Sequence, residues 1–433
     1  MWNILSLRKL KQWLASGGRN KIISNFFSLS VLQATNLLIP LVTVPYVIRT
    51  CGIERFGVLG MAMALVGYFE LIADYGFDLS ATKKISENRH NPLEAQKIFS
   101  SVTFLKIILS LSGLVVITAM VVFIPFLNEY KWIYLITFGR VLGKSLFPVW
   151  YYQGMEEMRY ITIFNVSAKA LFAVLTIVLV NHPDQFYLVP SFSSLGVILP
   201  GLYAQFHVRK KFKVSFTTPL KKELIADLRD GFYLFLSRVY VNLYNSFNVV
   251  VLGFLTNYST VGQYTLAAKI IEAFSTVFIP ANNALFPYLS RMWKESPPQF
   301  FELIRKLTYL FLAAGIGMAL ILFLIKEPVI RLVNGSPDSG VKLVLSILSL
   351  KLPLAALGPL FTSMFICQGR NRAYLWVVKN TFLFNLLLVP LGIYFFDGLG
   401  LAGTIIAVGI FHQYLFHLKR KEILPQPALL QIQ

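Results

Sequence analysis

Long apolar segments separated by short polar ones run through most of the chain. An apolar segment of roughly 20 residues is long enough to cross a bilayer as a helix. The pattern predicts about twelve transmembrane helices, near 22–48, 58–78, 101–125, 132–153, 160–180, 188–206, 229–255, 263–287, 307–325, 341–367, 375–396 and 400–417. We therefore expect an all-α polytopic membrane protein.

The longest polar segment lies between the sixth and the seventh predicted helix. It divides the chain into two six-helix lobes, which an even number of helices places in the same orientation in the membrane. The segments GVLGMAMALVGYF (57–69) and GQYTLAAKIIEAF (262–274) support such a parallel repeat. The predicted organisation is an N-terminal segment (1–21), a first lobe (22–206), a basic linker (207–228), a second lobe (229–417) and a tail (418–433).

The composition supports a membrane location and explains the excess of positive charge. Of the 433 residues, 56% are hydrophobic and 14% are charged, and the mean hydropathy is +0.64. The net charge of +20 would suggest a nucleic-acid partner in a soluble protein. Here 26 Lys and Arg lie in the termini and even-numbered loops, against 6 in the odd-numbered loops. Because cytoplasmic loops are rich in Lys and Arg, we predict two cytoplasmic termini and no nucleic-acid partner.

Eight cationic residues lie inside the predicted spans, where each would cost about 2.5–3.5 kcal/mol if it faced lipid at the helix centre. Five lie deepest: Arg140, Lys144, Lys169, Arg238 and Lys351. Arg140 and Lys144 share one helix face, with no acidic residue between them in the sequence. The deep cations outnumber the intramembrane acids, which predicts a cavity for an anion such as a phosphate or diphosphate. An anion channel would need the same charges, so the mode of transport stays open.

The other three intramembrane cations are secondary candidates for the cavity: Lys106, Lys269 and Lys379. Lys106 and Lys379 lie about five residues from predicted helix ends, from which a lysine can reach the headgroups. We favour that position for both. Lys269 is spaced to pair with Glu272, three residues further along the same helix.

Three acidic residues lie inside the predicted spans: Glu70, Asp74 and Glu272. They are either counter-ions of the cations or sites that couple transport to an H⁺ or Na⁺ gradient. Gln33 and Asn36 on the first helix would form interhelical hydrogen bonds or line a cavity for sugars. The aromatic residues at predicted helix ends indicate an interfacial belt: Trp132, Trp150, Tyr151 and Tyr152.

Nothing in the sequence indicates a catalytic module, a cofactor or a metal site. The P-loop, GxSxG and HExxH patterns do not occur. Cys51 and Cys367 are too few for a disulfide framework or a zinc site. We expect a protein that is not an enzyme and that uses at most H⁺ or Na⁺ as a coupling ion.

Four segments carry a resemblance to a known family: NLLIPLVTVPYVIRTCGIERFG (36–57), DYGFDLSATKKIS (74–86), PVWYYQGMEEMRYIT (148–162) and NLYNSFNVVVLG (242–253). They resemble the polysaccharide transporter family, the O-antigen (O-unit) flippase branch of a superfamily that also contains multidrug/toxin extrusion proteins (MATE) and lipid II flippases. The resemblance runs from about residue 20 to residue 418.

The resemblance implies a MATE-like, V-shaped pair of lobes around a central cationic cavity. It implies ion-coupled alternating access that moves undecaprenyl-diphosphate-linked oligosaccharide repeat units from the cytoplasmic to the periplasmic leaflet of a bacterial inner membrane. The implied partners are a polysaccharide polymerase and a chain-length regulator. The alternatives are a cation-coupled multidrug exporter, a flippase for capsule, teichoic acid or lipid II units, and a scaffold that transports nothing.

Overall fold

The structure is a computed structural model that describes residues 19–421, and these residues form almost only helices. The helices are α1 (Arg19–Cys51), α2 (Ile53–Asp74), α3 (Phe77–Asn88), α4 (Pro92–Phe123), α5 (Pro125–Asn128), α6 (Lys131–Leu146), α7 (Val149–Gly154), α8 (Met158–Leu179), a 3₁₀ turn (Pro183–Tyr187), α9 (Leu188–Phe212), α10 (Lys221–Leu255), α11 (Tyr258–Ser275), α12 (Phe278–Glu295), α13 (Pro297–Asn334), α14 (Ser339–Ser349), α15 (Lys351–Cys367) and α16 (Asn371–Lys421). No strand occurs among the described residues. The predicted all-α fold is confirmed.

The helices are long and apolar enough for a multi-pass membrane protein. Within the described residues, eight helical segments could cross a membrane, or nine if the bent pair α14 and α15 counts as one span. The predicted spans 375–396 and 400–417 both lie in α16, whose backbone leaves the helical conformation at Phe396 and Asp397. The predicted spans 132–153 and 229–255 are also largely helical. The first is divided between two short helices, and the second carries Arg238 and several Asn, which lower its hydropathy.

Polar side chains begin several of the helices, because the first backbone N–H groups of a helix have no partner within it. The Asn91 carboxamide oxygen accepts from the backbone N–H of Glu94 at 3.3 Å, at the start of α4. The Asp338 carboxylate accepts from the N–H of Val341 at 2.8 Å, at the start of α14. Such caps fix the residues at which the polar connections end and these helices begin.

The described chain forms two compact units. The first contains the described residues up to Cys51 together with Leu65–Val239, and the second contains Gly52–Ala64 together with the described residues from Tyr240 onward. The helices α2 and α10 therefore each contribute to both units. The predicted lobes 22–206 and 229–417 stay a prediction.

The core of the first unit contains aromatic residues that the sequence places at the membrane interface. Trp150, Tyr151 and Tyr152 of α7 are fully buried against Phe99 and Phe147. The predicted interfacial position is therefore wrong for these three residues. Trp132, the fourth member of the predicted belt, is exposed. These three residues are buried because α7 is a short helix that packs on α3, so its aromatic rings lie in the core of the first unit.

Most of the predicted linker 207–228 is helical and is held to the first unit. Only 213–220 is not helical. The buried carboxylate of Asp227 on α10 accepts hydrogen bonds from Lys84 Nζ at 2.6 Å and from the Ser101 hydroxyl. Lys84 also pairs with Asp230 at 2.7 Å. These contacts join the start of α10 to α3 and α4.

The two glycines that begin the repeated sequence segments face each other in the second unit. A Cβ atom at Gly57 would lie 1.9 Å from the carbonyl oxygen of Tyr258 and 2.8 Å from the backbone nitrogen of Gly262. A Cβ atom at Gly262 would lie 2.1 Å from the carbonyl oxygen of Ile53. Any larger residue would force α2 and α11 apart, so glycine is required at both positions.

Candidate functional site

Three of the five predicted deep cations meet in the first unit. We call Arg140, Lys144 and Lys169, with the acidic residue Glu70, the cationic cluster. Arg140 Nε lies 3.2 Å from Glu70 Oε1, and Lys144 Nζ pairs with Glu70 Oε2. Because Arg140 and Lys144 lie four residues apart on α6, both reach the same carboxylate on α2.

Two neutral residues complete the surroundings of this group. Arg140 NH1 donates to the hydroxyl of Ser193 on α9 at 2.7 Å. Lys169 on α8 donates to the carboxamide oxygen of Asn36 on α1 and is repelled electrostatically by both Arg140 and Lys144. Two cations thus pair with one carboxylate and a third lies near these two cations, so the cationic cluster has a formal net charge of two positive units.

The cationic cluster keeps donors free for a ligand. Glu70 is mostly buried, with 14% of its side chain exposed, whereas the Lys144 side chain is 42% exposed. A guanidinium carries five N–H donors and an ammonium three. Arg140 uses two donors and Lys144 uses one within the described residues. The remaining donors can bind an oxyanion.

Both acidic residues on α2 pair with cations, which is one of their two predicted roles. Glu70 bridges Arg140 and Lys144, so the cation pair is not free of acid as its sequence suggests. Asp74, one turn further along α2, pairs instead with Lys106 at 2.9 Å. The two carboxylates therefore serve different cations, although they share a helix face.

The predicted headgroup position of Lys106 is wrong. Its side chain is only 2% exposed and points to Asp74. The sequence gives the distance of a lysine from a helix end but not the side of the helix that packs on a neighbour. On α4, Lys106 lies on the side that faces α2, where burial demands a counter-ion.

We expect Lys106→Met to destabilise the protein by about 3 kcal/mol, because it leaves the Asp74 carboxylate without this cation. Lys379→Met is the matched control. The sequence predicts that Lys379 also reaches the headgroups, and in the structure its side chain is exposed, so its replacement should cost less than about 0.5 kcal/mol. Thermal unfolding in detergent measures both variants. Equal stability of the two would refute the buried ion pair.

The cations of the second unit are less closely grouped. Lys269 Nζ pairs with Glu272 Oε2 at 2.7 Å, as the spacing predicts. Lys351 is the first residue of α15, at the bend between α14 and α15. The negative charge of Glu272 attracts it from a distance. Among residues 19–421 with described side chains, Lys351 has no hydrogen-bond or ion-pair partner. The predicted site residue Arg238 has a side chain that lies outside the described part of the structure.

Sequence reasoning missed Ser193 as a neighbour of Arg140. Its only signal is the run SFSS (191–194) inside an apolar helix.

In the second unit, the buried amides of Asn248 and Asn385 bond to each other at 3.0 Å, as expected for polar residues between helices. No group of three His, Cys, Asp or Glu residues that could hold a metal occurs in the described part of the chain.

Two curated bacterial proteins are similar in sequence to this chain, and both carry the name "Putative O-antigen transporter". The protein of Escherichia coli (strain K12) is 29% identical over 326 residues, which cover 75% of this chain and 78% of the relative. The protein of Shigella dysenteriae is 28% identical over 270 residues, which cover 62% and 67%.

Solved structures agree with the helical architecture. A lipid II flippase, MurJ, in an inward closed conformation superposes with a TM-score of 0.71 at 14% identity, over 93% of this chain and 87% of that one. An inward-facing multidrug resistance transporter of the MATE family gives 0.65 at 16% identity, over 90% and 96%. At such identities these matches show a shared fold.

The family assignment rests on a direct sequence match. The model of the family described as "Polysaccharide biosynthesis protein" matches residues 22–293, which are more than half of the chain. This range contains every residue of the cationic cluster and agrees with the resemblance carried by the sequence motifs. The chain therefore belongs to the polysaccharide biosynthesis protein family.

Proposed function

We propose that this protein is a flippase for lipid-linked oligosaccharides rather than an enzyme. Its substrate would be an undecaprenyl-diphosphate-linked repeat unit of O-antigen or a similar polysaccharide. The family, the names of the two sequence relatives and the multi-pass helical fold support this proposal. The protein would lie in a bacterial inner membrane with both termini in the cytoplasm, and would carry the glycan to the periplasmic leaflet for a polymerase and a chain-length regulator.

The observation that carries the proposal is the net charge of the cationic cluster. Arg140, Lys144 and Lys169 supply three positive charges against the single negative charge of Glu70. A diphosphate that joins a lipid to a sugar carries two negative charges, which would neutralise the cluster. Moving that diphosphate from water into lipid without counter-charges is the main energetic barrier to flipping. Charge-assisted hydrogen bonds from Arg and Lys would lower this barrier.

In the proposed mechanism, Glu70 pairs with Arg140 and Lys144 and holds them in place while no substrate is bound. The diphosphate takes up the remaining donors of Arg140 and Lys144, while the polyprenyl chain stays in lipid. Lys351 and Arg238 are further candidates for binding the anionic part of the substrate, with Lys269 and Lys379 as secondary candidates. Their depth in the predicted spans supports this role, and Lys351 also has no hydrogen-bond or ion-pair partner among the side chains that the structure describes.

Glu70 is our candidate for coupling to an H⁺ or Na⁺ gradient. Among the three predicted acidic candidates it contacts two cations of the cluster. Asp74 is paired with the buried Lys106, and Glu272 is paired with Lys269. A proton or Na⁺ on Glu70 would cancel its charge, release Arg140 and Lys144, and so link the gradient to anion binding.

Proteoliposomes containing a fluorescent polyprenyl-diphosphate-linked glycan test the proposed function. We expect the wild-type protein to move the glycan between leaflets and an H⁺ or Na⁺ gradient to accelerate the movement. A glycan on a neutral lipid carrier should not be moved, because it lacks the diphosphate. Transport of a cationic dye in place of the glycan would refute the proposal and identify a multidrug exporter. Movement of lipid II but of no O-antigen unit would assign a different glycan.

A further inference from the structure

Cations and aromatic rings form a second group where α8 begins and α9 ends, at the side that the Lys and Arg distribution predicts to be cytoplasmic. Arg159 and Lys211 share the carboxylate of Glu157, at 3.4 Å and 3.0 Å. Both donate to the hydroxyl of Tyr160, at 2.9 Å and 3.1 Å. Both also lie over the Tyr160 ring, 4.8 Å and 4.2 Å from its centroid. Tyr160 therefore holds two cations side by side.

These two cations retain donors that no described residue uses. Arg159 has five N–H donors, of which Glu157 and Tyr160 take two, and its side chain is 55% exposed. Lys211 has three donors, of which the same residues take two, and its side chain is 28% exposed. An oxyanion can bind both cations at once without displacing Glu157.

An exposed apolar stripe on α9 leads to this group. Leu199, Tyr203, Phe206 and Lys210 follow one another at helical spacing on one exposed face. The ammonium of Lys210 lies 6.0 Å from the centroid of the Phe206 ring. In a membrane such a stripe lies against acyl chains, and the lysine at its end extends towards the headgroups. The stripe and the cations are therefore adjacent at the predicted membrane surface.

We infer that the group Glu157, Arg159, Tyr160 and Lys211, with the α9 stripe, is a binding site for an anionic glycerophospholipid. Arg159 and Lys211 hold the phosphate, and the acyl chains lie along Leu199, Tyr203 and Phe206. Together the group and the stripe contain three cations (Arg159, Lys211 and Lys210) and one carboxylate (Glu157), so their net positive charge repels the ammonium of a zwitterionic headgroup. Basic residues between helices at the cytoplasmic surface are suited to such headgroups. This site is separate from the cationic cluster and does not depend on the proposed transport function.

Native mass spectrometry of the full-length protein, delipidated in detergent and titrated with phosphatidylglycerol or phosphatidylcholine, tests the site. We expect Arg159→Gln/Lys211→Gln to lower retention of phosphatidylglycerol by about tenfold and to leave retention of phosphatidylcholine unchanged. The charge-preserving Arg159→Lys/Lys211→Arg should retain the lipid. Arg291→Gln is the matched control, because Arg291 also lies over a tyrosine ring, 5.6 Å from that of Tyr288, and pairs with Glu295 at 4.0 Å.

Three results would overturn the inference. The first is equal retention of phosphatidylglycerol by wild type and Arg159→Gln/Lys211→Gln. The second is equal retention of the two lipids by wild type. The third is displacement of phosphatidylglycerol by millimolar inorganic phosphate, which would make this a site for a free anion. The single variant Arg159→Gln, with an expected smaller loss, decides the matter if the double variant unfolds.

Discussion

Replacing Arg140 and Lys144 together by glutamine should abolish translocation of the polyprenyl-diphosphate-linked glycan in proteoliposomes. A hydrogen bond to a charged group contributes about 1.5–3 kcal/mol, so loss of two such contacts should slow transport by at least about 100-fold. The fluorescent-glycan assay measures the rate. Protein content of the membrane and the unfolding temperature should be recorded with it, because the change also deprives Glu70 of its partners.

Two further variants separate loss of function from loss of folding. Arg140→Gln/Lys144→Gln/Glu70→Gln removes the acid together with both cations, so it leaves no carboxylate without its cations, and it should also be inactive. Arg89→Gln/Lys97→Gln removes one Arg and one Lys that pair with Glu156 at 2.8 Å and with Glu94 at 3.0 Å. This control should transport normally. Normal transport by the stable triple variant would refute the role of the cationic cluster in substrate binding.

The sequence predicts the helices of this protein well. A helix that crosses a membrane must satisfy its own backbone hydrogen bonds and carry a long run of apolar side chains, and such a run is visible in the sequence. The same logic predicts that charges inside such segments gather together, and Arg140, Lys144 and Lys169 do so. Their shared counter-ion could not be predicted. Glu70 and Asp74 lie on the same face of α2, and only the packing of α4 and α6 decides which cation reaches which carboxylate.

The wrong predictions have the same origin. Lys106 and the aromatic residues of α7 lie near predicted helix ends, where depth alone favours the headgroups. In the structure, α7 is a short helix in the core of the first unit, and Lys106 faces α2. A hydropathy pattern records distance along a helix but not the neighbour on each side. Ion pairs between distant segments therefore need the three-dimensional structure.

Glu70→Gln should uncouple transport from the ion gradient while preserving anion binding. The change removes the negative charge of the cationic cluster and leaves three positive charges, so affinity for the diphosphate should rise by about tenfold. Release should slow by a similar factor. A carboxamide cannot be protonated or bind Na⁺ as a carboxylate does, so an imposed gradient should no longer drive accumulation of the glycan.

Two assays on the same proteoliposomes separate binding from coupling. Exchange of labelled for unlabelled glycan needs the binding site but no gradient, and Glu70→Gln should retain it. Gradient-driven accumulation should fall to the level of empty liposomes. Glu272→Gln is the comparison variant, because Glu272 pairs with the exposed Lys269 and attracts Lys351 but contacts no cation of the cationic cluster among the described residues. It should keep gradient-driven accumulation. If Glu70→Gln accumulates glycan like wild type while Glu272→Gln does not, the coupling ion binds in the second unit, and Glu70 is only a counter-ion for Arg140 and Lys144.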